Sequence, residues 1–478
     1  MQLRAEKERE IKLTASGGLE LVEDLGEPIE SRVFTSMYYD TPDRALATVG
    51  VTLRRRLENG KNLWQLKLPG KGYRTEIELP GGPKRPPRRL RESLIGLARG
   101  VEFEEAARLK TRRSGVKVRE RGVVAEIVVD SVSVMDNGRV DSTFEEIEIE
   151  VVDGDGDILK ELYGKLRRRG AQASDGRPKL FRALGLAADG APEPSAQAPS
   201  HVRLSAYLTR QRRELLRHDP GVRLAADPED VHQMRVGLRR ARSVLATARP
   251  TLAKEVTEPL RAELKWLGGV LGPVRDLDVL LERLRAQVAE LPADDRFAAE
   301  RLVHVLATDR ELAHAHLVEA LESERYLALL DTFASVAQAP PLSGRTKSVA
   351  ALASREYRKL ERDVAALPAE PSEEELHRIR VRAKRARYAA ELAEPAVGKK
   401  ASRFIANAKR LQDVIGEHQD AVVAGQRIQQ ALGVSRGGRV AFAAGRLVER
   451  EEERRGRARS KWRKAWRKLE RTGKKAWR

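Results

Sequence analysis

No cysteine occurs anywhere in the 478 residues, which excludes disulfide bridges and thiolate metal sites. Long apolar runs are missing too. Nothing approaches the stretch of about twenty residues that a membrane-spanning helix needs, and the first thirteen residues are charged where a secretory leader would be apolar. A cytoplasmic protein without a membrane partner is therefore expected. Aromatic residues make up only 4% of the chain, and they mark no aromatic-lined pocket that can be placed from sequence.

Charge is abundant. The formal net charge is +20, which invites a nucleic-acid reading until its distribution is examined. Residues 454–478 hold thirteen Lys or Arg and a single acid, Glu470, so one terminal segment supplies more than half of the excess. The rest of the chain is densely charged and only mildly basic. Contact with nucleic acid is thus expected, if anywhere, through that segment.

Residues 188–200 read as a Pro/Ala/Ser-rich linker without periodicity. Before it, alternating runs at 63–68, 123–129 and 144–151 predict half-buried strands. After it, Ala/Leu/Arg/Glu-rich stretches have helical spacing, with interruptions expected near 219–221, 292, 340–344 and 368–371. The organisation predicted is a β-rich domain over 1–187, the linker, and an all-α domain over 201–478.

Alternate residues of a strand share a face. That rule groups Glu8, Glu10 and Lys12 at the start of the chain, and Glu146, Glu148 and Glu150 near the end of the first domain. Between them it groups Arg54 with Arg56, Gln65 with Lys67, Arg74 with Glu76 and Glu78, and Lys110 with Arg112. Each set opposes apolar neighbours. Carboxylates concentrate on the outer strands and bases on the inner ones. Such strands can close into a barrel with the charges inside and helices covering the apolar outside. Carboxylates of this kind suit Mg²⁺ or Mn²⁺, and the surrounding Arg and Lys suit phosphate oxygens. Asp130, on the face of Glu126, is a further acidic candidate. Tyr38-Tyr39-Asp40-Thr41-Pro42 reads as a turn closing a strand.

Glu8-x-Glu10-x-Lys12, Tyr38 to Pro42, Leu53-Arg54-Arg55-Arg56, Trp64-Gln65-Leu66-Lys67, Arg74-Thr75-Glu76-Ile77-Glu78 and Glu146 to Glu150 occur in the order of the CYTH family, the triphosphate tunnel metalloenzymes, which residues 1–186 resemble. The resemblance implies an α+β domain with an antiparallel β-tunnel of about eight strands. It implies metal-dependent cleavage of substrates ending in a triphosphate. Glu8, Glu10, Glu146 and Glu148 are the implied metal ligands, with Glu150 beside them. Lys12, Arg54, Arg56, Lys67, Arg74, Lys110 and Arg112 are the implied phosphate-binding residues. Glu8, Glu10, Lys12 and Glu148 are central to catalysis on this reading. Many relatives carry Ser-Lys where this chain has Pro178-Lys179, so Lys179 is a candidate in an altered backbone setting.

The helical part repeats itself. His232 to Arg242 recurs as His377 to Arg387, and Lys265 to Asp276 recurs as Lys409 to Asp420. At helical spacing the first pair aligns His232, Arg235, Arg239 and Arg242, and then His377, Arg380, Lys384 and Arg387. Like charges stacked this closely repel, and a bound polyanion relieves the repulsion. Residues 201–470 resemble the CHAD family on these two blocks. That resemblance implies two pseudo-symmetric helical bundles with a basic groove for inorganic polyphosphate, to which Lys265 and Lys409 also belong. In the terminal segment, Trp462 and Trp466 are placed to pack the last helix onto the bundle.

Inorganic triphosphate hydrolysis, coupled to polyphosphate binding that concentrates chains near the tunnel, is the expected function. Polyphosphate granules are a candidate location. The alternatives are a tunnel acting on thiamine triphosphate or ATP, and a non-catalytic polyphosphate-binding protein.

Overall fold

The computed structural model describes residues 4–14, 17–154, 157–187, 194–343, 347–434 and 437–477. Part of the expected linker, 188–193, lies outside the described residues. The chain divides into two compact units: Met1–Pro192 with Leu216–Asp230, and Glu193–Leu215 with Val231–Arg478.

The strands of the first unit are β1 (Arg4–Glu8), β2 (Glu10–Thr14), β3 (Glu27–Pro28), β4 (Arg32–Asp40), β5 (Thr52–Glu58), β6 (Lys61–Pro69), β7 (Arg74–Pro80), β8 (Glu104–Glu120), β9 (Val123–Asp136), β10 (Arg139–Asp153) and β11 (Gln172–Ala173). Its helices are α1 (Ala45–Thr48), α2 (Arg88–Ser93), α3 (Ile95–Ala98), α4 (Asp157–Arg168) and α5 (Lys179–Ala183). β1 and β2 are two halves of one strand, interrupted at Arg9. The first half pairs with β7 and the second with β10. The order β1-β7-β6-β5-β4-β8-β9-β10-β2 therefore returns to its start. With β1 and β2 counted as one strand, eight antiparallel strands close a barrel, and β3 and β11 are short additions to it. Closure removes the exposed edges that an open sheet would leave.

Local sequence sets the register. Asn59-Gly60, Arg121-Gly122 and Asn137-Gly138 all have positive φ at both positions, from 46° to 79°. That is the two-residue hairpin geometry whose twist matches the flanking strands. It pins Glu58 to Lys61, Glu120 to Val123 and Asp136 to Arg139. Outside the barrel, Leu13, Val116, Val118, Ile127, Val129, Ile147 and Ile149 pack under Ile158, Leu162 and Leu166 of α4. The apolar faces thus point out beneath a helix and the polar faces point in.

In the helical unit and the segment leading into it the helices are α6 (Ser200–Leu224), α7 (Pro228–Ala248), α8 (Lys254–Ala289), α9 (Ala293–Glu322), α10 (Glu324–Gln338), α11 (Val349–Ala365), α12 (Glu373–Val397), α13 (Lys399–Val434) and α14 (Gly438–Trp477). The sequence repeat falls on matching pairs: α7 with α12, and α8 with α13, both of the latter 36 residues long. Ser372 and Glu375 form a reciprocal capping box that starts α12. One expected interruption is displaced. α6 runs through Pro220 and ends at Leu224, beside Ala225 at φ 50°. A proline removes a single helical N–H, so the helix continues and the break comes where the backbone turns left-handed.

Candidate active site and anion groove

The barrel encloses a cavity of about 220 Å³, lined by side chains from all eight strands and by Lys179. Three sets of groups divide its wall. Glu8, Glu10 and Glu150 form the first, each offering a carboxylate oxygen within 4.8 Å of the others. Burial and the nearby Glu148 push Glu150 up to about 7. The same two causes raise Glu10. Burial also opposes ionisation of Glu8, but the Lys67 ammonium at 2.7 Å outweighs it and holds the carboxyl low. An all-carboxylate oxygen set with two proton-loving members fits a hard divalent cation, which would replace the protons.

The second set is a buried ion cluster. Lys12 lies 2.8 Å from Glu146 and 2.6 Å from Glu148. Lys179 lies 3.0 Å from Glu146, 2.6 Å from Glu148 and 3.0 Å from Asp130. Arg113 makes a two-pronged contact with Asp130 and reaches Glu148 at 2.7 Å. Burial disfavours the charge on Glu148, yet Lys12, Lys179 and Arg113 together hold it well below the usual carboxylate range. Lys12 and Lys179 are raised in turn, because Glu148 and its neighbours overcome their burial. Lys179 is the first residue of α5, directly after the Pro178 cap. The altered Pro-Lys setting therefore still delivers the ammonium inward.

Arg32, Arg54, Arg56 and Arg113 make up the third, cationic set. Burial and then Arg54 push Arg56 down to about 10, with Arg113 and Arg32 adding to the effect. Arg56 stacks 3.8 Å over Phe34. Arg54 donates to Gln65 at 2.7 Å and to the Tyr38 hydroxyl at 3.4 Å. Arg74 lines the cavity and donates to the Gly50 carbonyl at 3.0 Å. Asp40 closes β4 by accepting the N–H groups of Thr41, Leu46 and Ala47, so the expected turn is present.

Two placements differ from the expectation. Lys110 and Arg112 are exposed, and their neighbours Leu109, Thr111 and Arg113 face the cavity instead. Lys110 and Arg112 share the outward face with Val116 and Val118, which lie under α4 further along the strand. Glu146 and Glu148 are engaged by lysines and do not join the carboxylate trio; Glu146 sits fully buried behind Lys12 and Lys179. Asp130 likewise belongs to the ion cluster. Arg113, which the sequence reading passed over, ties the second set to the third.

In the helical unit the two repeat helices bring their bases together. Burial, then Arg380, Arg239, Arg235 and Arg387, push the Lys384 ammonium down to about 7. Arg242 is lowered by burial and then by Arg261, Arg239 and Arg385. Arg239 donates to Tyr388 of α12 at 2.9 Å. The repeat is visible in the support as well. Arg235 donates to Gly272 and to Asp276 at 2.6 Å, while Arg380 lies against Gly416 with Asp420 as an opposing charge. A Cβ on Gly416 would come within 2.9 Å of the Arg380 guanidinium, whereas at the matching Gly272 the Arg235 guanidinium would be 3.9 Å away. The Arg380 Nε is buried without a hydrogen-bond acceptor among the described residues. His232 is half-buried, whereas His377, Lys265 and Lys409 occupy exposed positions.

The family model of the CYTH domain matches residues 6–175, and that of the CHAD domain matches residues 206–429. Two uncharacterized proteins of Mycobacterium tuberculosis, Rv2226 of strain H37Rv and MT2285 of strain CDC 1551, are each 31% identical over 454 residues, covering 87% of this chain and 86% of theirs. Among solved structures, PptA from Streptomyces chartreusis is 25% identical with a TM-score of 0.48, covering 56% of this chain and all of its own. The CHAD domain from the plant Ricinus communis is 25% identical with a TM-score of 0.47, covering 57% of this chain and 94% of its own. A putative adenylyl cyclase from Hippeastrum, HpAC1, described as having a dominant triphosphatase activity, is 18% identical with a TM-score of 0.25, covering 38% of this chain and 97% of its own. A closed eight-stranded barrel with carboxylates and bases inside, followed by a duplicated helical unit, places this chain in the CYTH–CHAD family, with one domain of each kind.

Proposed function

We propose that the barrel hydrolyses inorganic triphosphate with Mg²⁺ or Mn²⁺, and that the groove between α7 and α12 binds inorganic polyphosphate. Residues 1–187 form the catalytic part on this reading and 201–478 the binding part. The observation that carries it is the pairing of a carboxylate trio with a cationic wall inside one closed cavity. Glu8, Glu10 and Glu150 would hold the divalent cation, which would supply charge neutralisation and water activation. Arg54, Arg56 and Lys67 neutralise the phosphate chain from the opposite strands. Arg113, Lys12 and Lys179 hold the far wall in a fixed arrangement. Phosphoryl transfer needs little beyond positioning and electrostatic stabilisation, and a preorganised set of this kind provides both.

The lining favours an inorganic chain over a nucleotide or thiamine triphosphate. Both of its aromatic residues are buried, Phe34 at 5% and Tyr38 at 4% exposure, with Arg56 over a face of Phe34. Neither ring is left free to stack on a base or a thiazolium. A substrate panel tests the reading. Tripolyphosphate, ATP and thiamine triphosphate are compared by phosphate release with Mg²⁺, Mn²⁺ and chelator. Fastest release from tripolyphosphate, abolished in Glu8→Gln, is expected. Absence of release with every divalent cation, or a preference for either organic triphosphate, overturns it.

A further inference from the structure

The strongly basic C-terminal segment is not a loose tail. It is the second half of α14, and its inner face is anchored along its length. Ala458, Trp462, Leu469, Gly473 and Trp477 are buried. Gly473 passes so close to Tyr357 that a Cβ would meet the ring at 2.2 Å. Trp477 packs edge-on against Phe404 at 5.6 Å, and Phe404 packs against Tyr357 at 5.7 Å.

The outer face carries a single row of cations. Arg457, Lys461, Lys464, Lys468, Arg471 and Lys475 recur at alternating steps of four and three residues, and all six are exposed. Steps of four and three keep a residue on one side of a helix, and at 1.5 Å per residue the row is about 27 Å long. The same line continues toward the helix start as Arg446 and Arg450, but there it is neutralised. Arg446 is held by Asp295 at 2.6 Å and Arg450 by Glu290 at 3.2 Å. Beyond Arg457, which has Glu453 at 3.8 Å, the pairing stops. Lys461, Lys464, Lys468, Arg471 and Lys475 make no ion pair among the described residues. Glu470, the one acid of the segment, is taken by Lys474 at 2.6 Å. Like charges one turn apart destabilise a helix, so a row kept unpaired on a rigid, anchored helix is a surface awaiting an anion.

We infer that the outer face of α14 from Arg457 to Lys475 is a second polyanion-binding rail, separate from the α7/α12 groove and outside the matched CHAD region, and that its ligand is an extended inorganic polyphosphate chain. The chemistry discriminates among polyanions. Single-stranded nucleic acid is gripped by aromatic platforms between the bases, but Trp462 and Trp477 are buried, the half-buried Trp466 falls by helical spacing on the side away from the row, and the row carries no ring. An interfacial membrane helix buries its apolar face in lipid, and here that face is spent on the protein core. What remains is a straight line of point charges matched to a flexible chain of phosphates.

The test uses the full-length protein, long-chain inorganic polyphosphate and a range of KCl concentrations. A rail variant carries Lys461→Gln, Lys464→Gln, Lys468→Gln, Arg471→Gln and Lys475→Gln. A groove variant carries Arg239→Gln and Lys384→Gln. On the scale of single-stranded polyanions, each lost phosphate contact lowers the slope of log K against log salt by about 0.7. The rail variant should therefore lose at least about tenfold in affinity, with a slope shallower by about 3.5. An unchanged circular dichroism spectrum and melting curve exclude misfolding. A companion variant with the four lysines changed to arginine should retain binding, because charge and not shape is what the rail supplies. The groove variant reports separately, so failure of the groove reading leaves the rail result intact. Unchanged affinity and slope in the rail variant overturn the inference. So does tighter binding of duplex DNA, single-stranded DNA or phosphatidylserine vesicles than of polyphosphate by the same rail residues.

Discussion

Replacing Lys384 by methionine should stabilise the helical unit while weakening its hold on polyphosphate. The ammonium sits among Arg380, Arg239, Arg235 and Arg387, and burial with that repulsion moves its pKa from 10.5 to about 7. Each tenfold change in proton affinity is worth ~1.36 kcal/mol, so the native state bears at most about 5 kcal/mol of strain when Lys384 is charged in both states. Partial exposure and side-chain relaxation reduce this to about 1–3 kcal/mol. The sign follows from the depressed pKa of a base. Between about pH 7 and 10.5 the unfolded chain binds more protons than the folded one, so wild-type stability rises across that window. The advantage of Lys384→Met is therefore full at pH 6 and gone near pH 10.5. Urea unfolding followed at 222 nm reads mainly the helices, and it should give the larger midpoint difference at the lower pH. Polyphosphate titration at pH 6 should show weaker binding by the variant. A midpoint difference independent of pH, or none at pH 6, would refute the argument that repulsion within the groove is stored in the free protein.

In the wild type, polyphosphate affinity should fall between pH 6 and 8 as Lys384 loses its proton, and Lys384→Arg should flatten that fall in a calorimetric titration. Divalent-cation binding should show the opposite slope. Glu150 near 7 and a raised Glu10 must shed protons first, so Mn²⁺ affinity should drop by about tenfold from pH 7 to 6, with proton release on binding; equal affinity at both would exclude the trio. Lys110→Gln and Arg112→Gln should leave triphosphate turnover within about twofold, because both side chains face solvent. Arg54→Gln should lower kcat/KM by about a hundredfold or more, by loss of a preorganised donor. Gly416→Ala forces the Arg380 side chain aside and should weaken polyphosphate binding without altering tripolyphosphate cleavage.

The barrel was legible because polar and apolar residues alternate on nearly every strand, and alternation has only one period to find. The error at Lys110 and Arg112 shows its limit. Alternation divides a strand into two faces without saying which is inside, and the short window around Leu109 made the charged face look internal. The full seventeen-residue β8 carries the missing signal. Val116 and Val118 share a face with Lys110, and two valines are better covered by α4 than set among arginines. The division of labour among Glu146, Glu148 and Glu150 was not legible at all. All three share a face, and what separates them is depth along the barrel and the arrival of Lys179 from a helix distant in sequence. In the helical unit the repeat revealed both the α7/α12 pairing and its cations. The crossing of Arg380 over Gly416 needed the packing of α12 against α13.

The two cationic sites offset repulsion to different degrees, and the difference bears on what each can do. In the barrel, Lys12, Lys179 and Arg113 are each within 3.0 Å of at least two carboxylates, so their charges are balanced before any ligand arrives. A phosphate chain meeting these three would gain less from each, because it competes with built-in counter-charges, whereas Arg56 is repelled by Arg54, Arg113 and Arg32. On the proposed function, binding energy spent that way would not trap substrate or product, and more would remain for the charge that develops during transfer. In the groove, Lys384 faces four guanidinium groups, and the Arg380 Nε is buried without an acceptor. Asp276, Asp420 and Glu391 offset part of that charge at Arg235, Arg380 and Arg387, and a bound anion would offset the rest, so relief of repulsion would add to affinity.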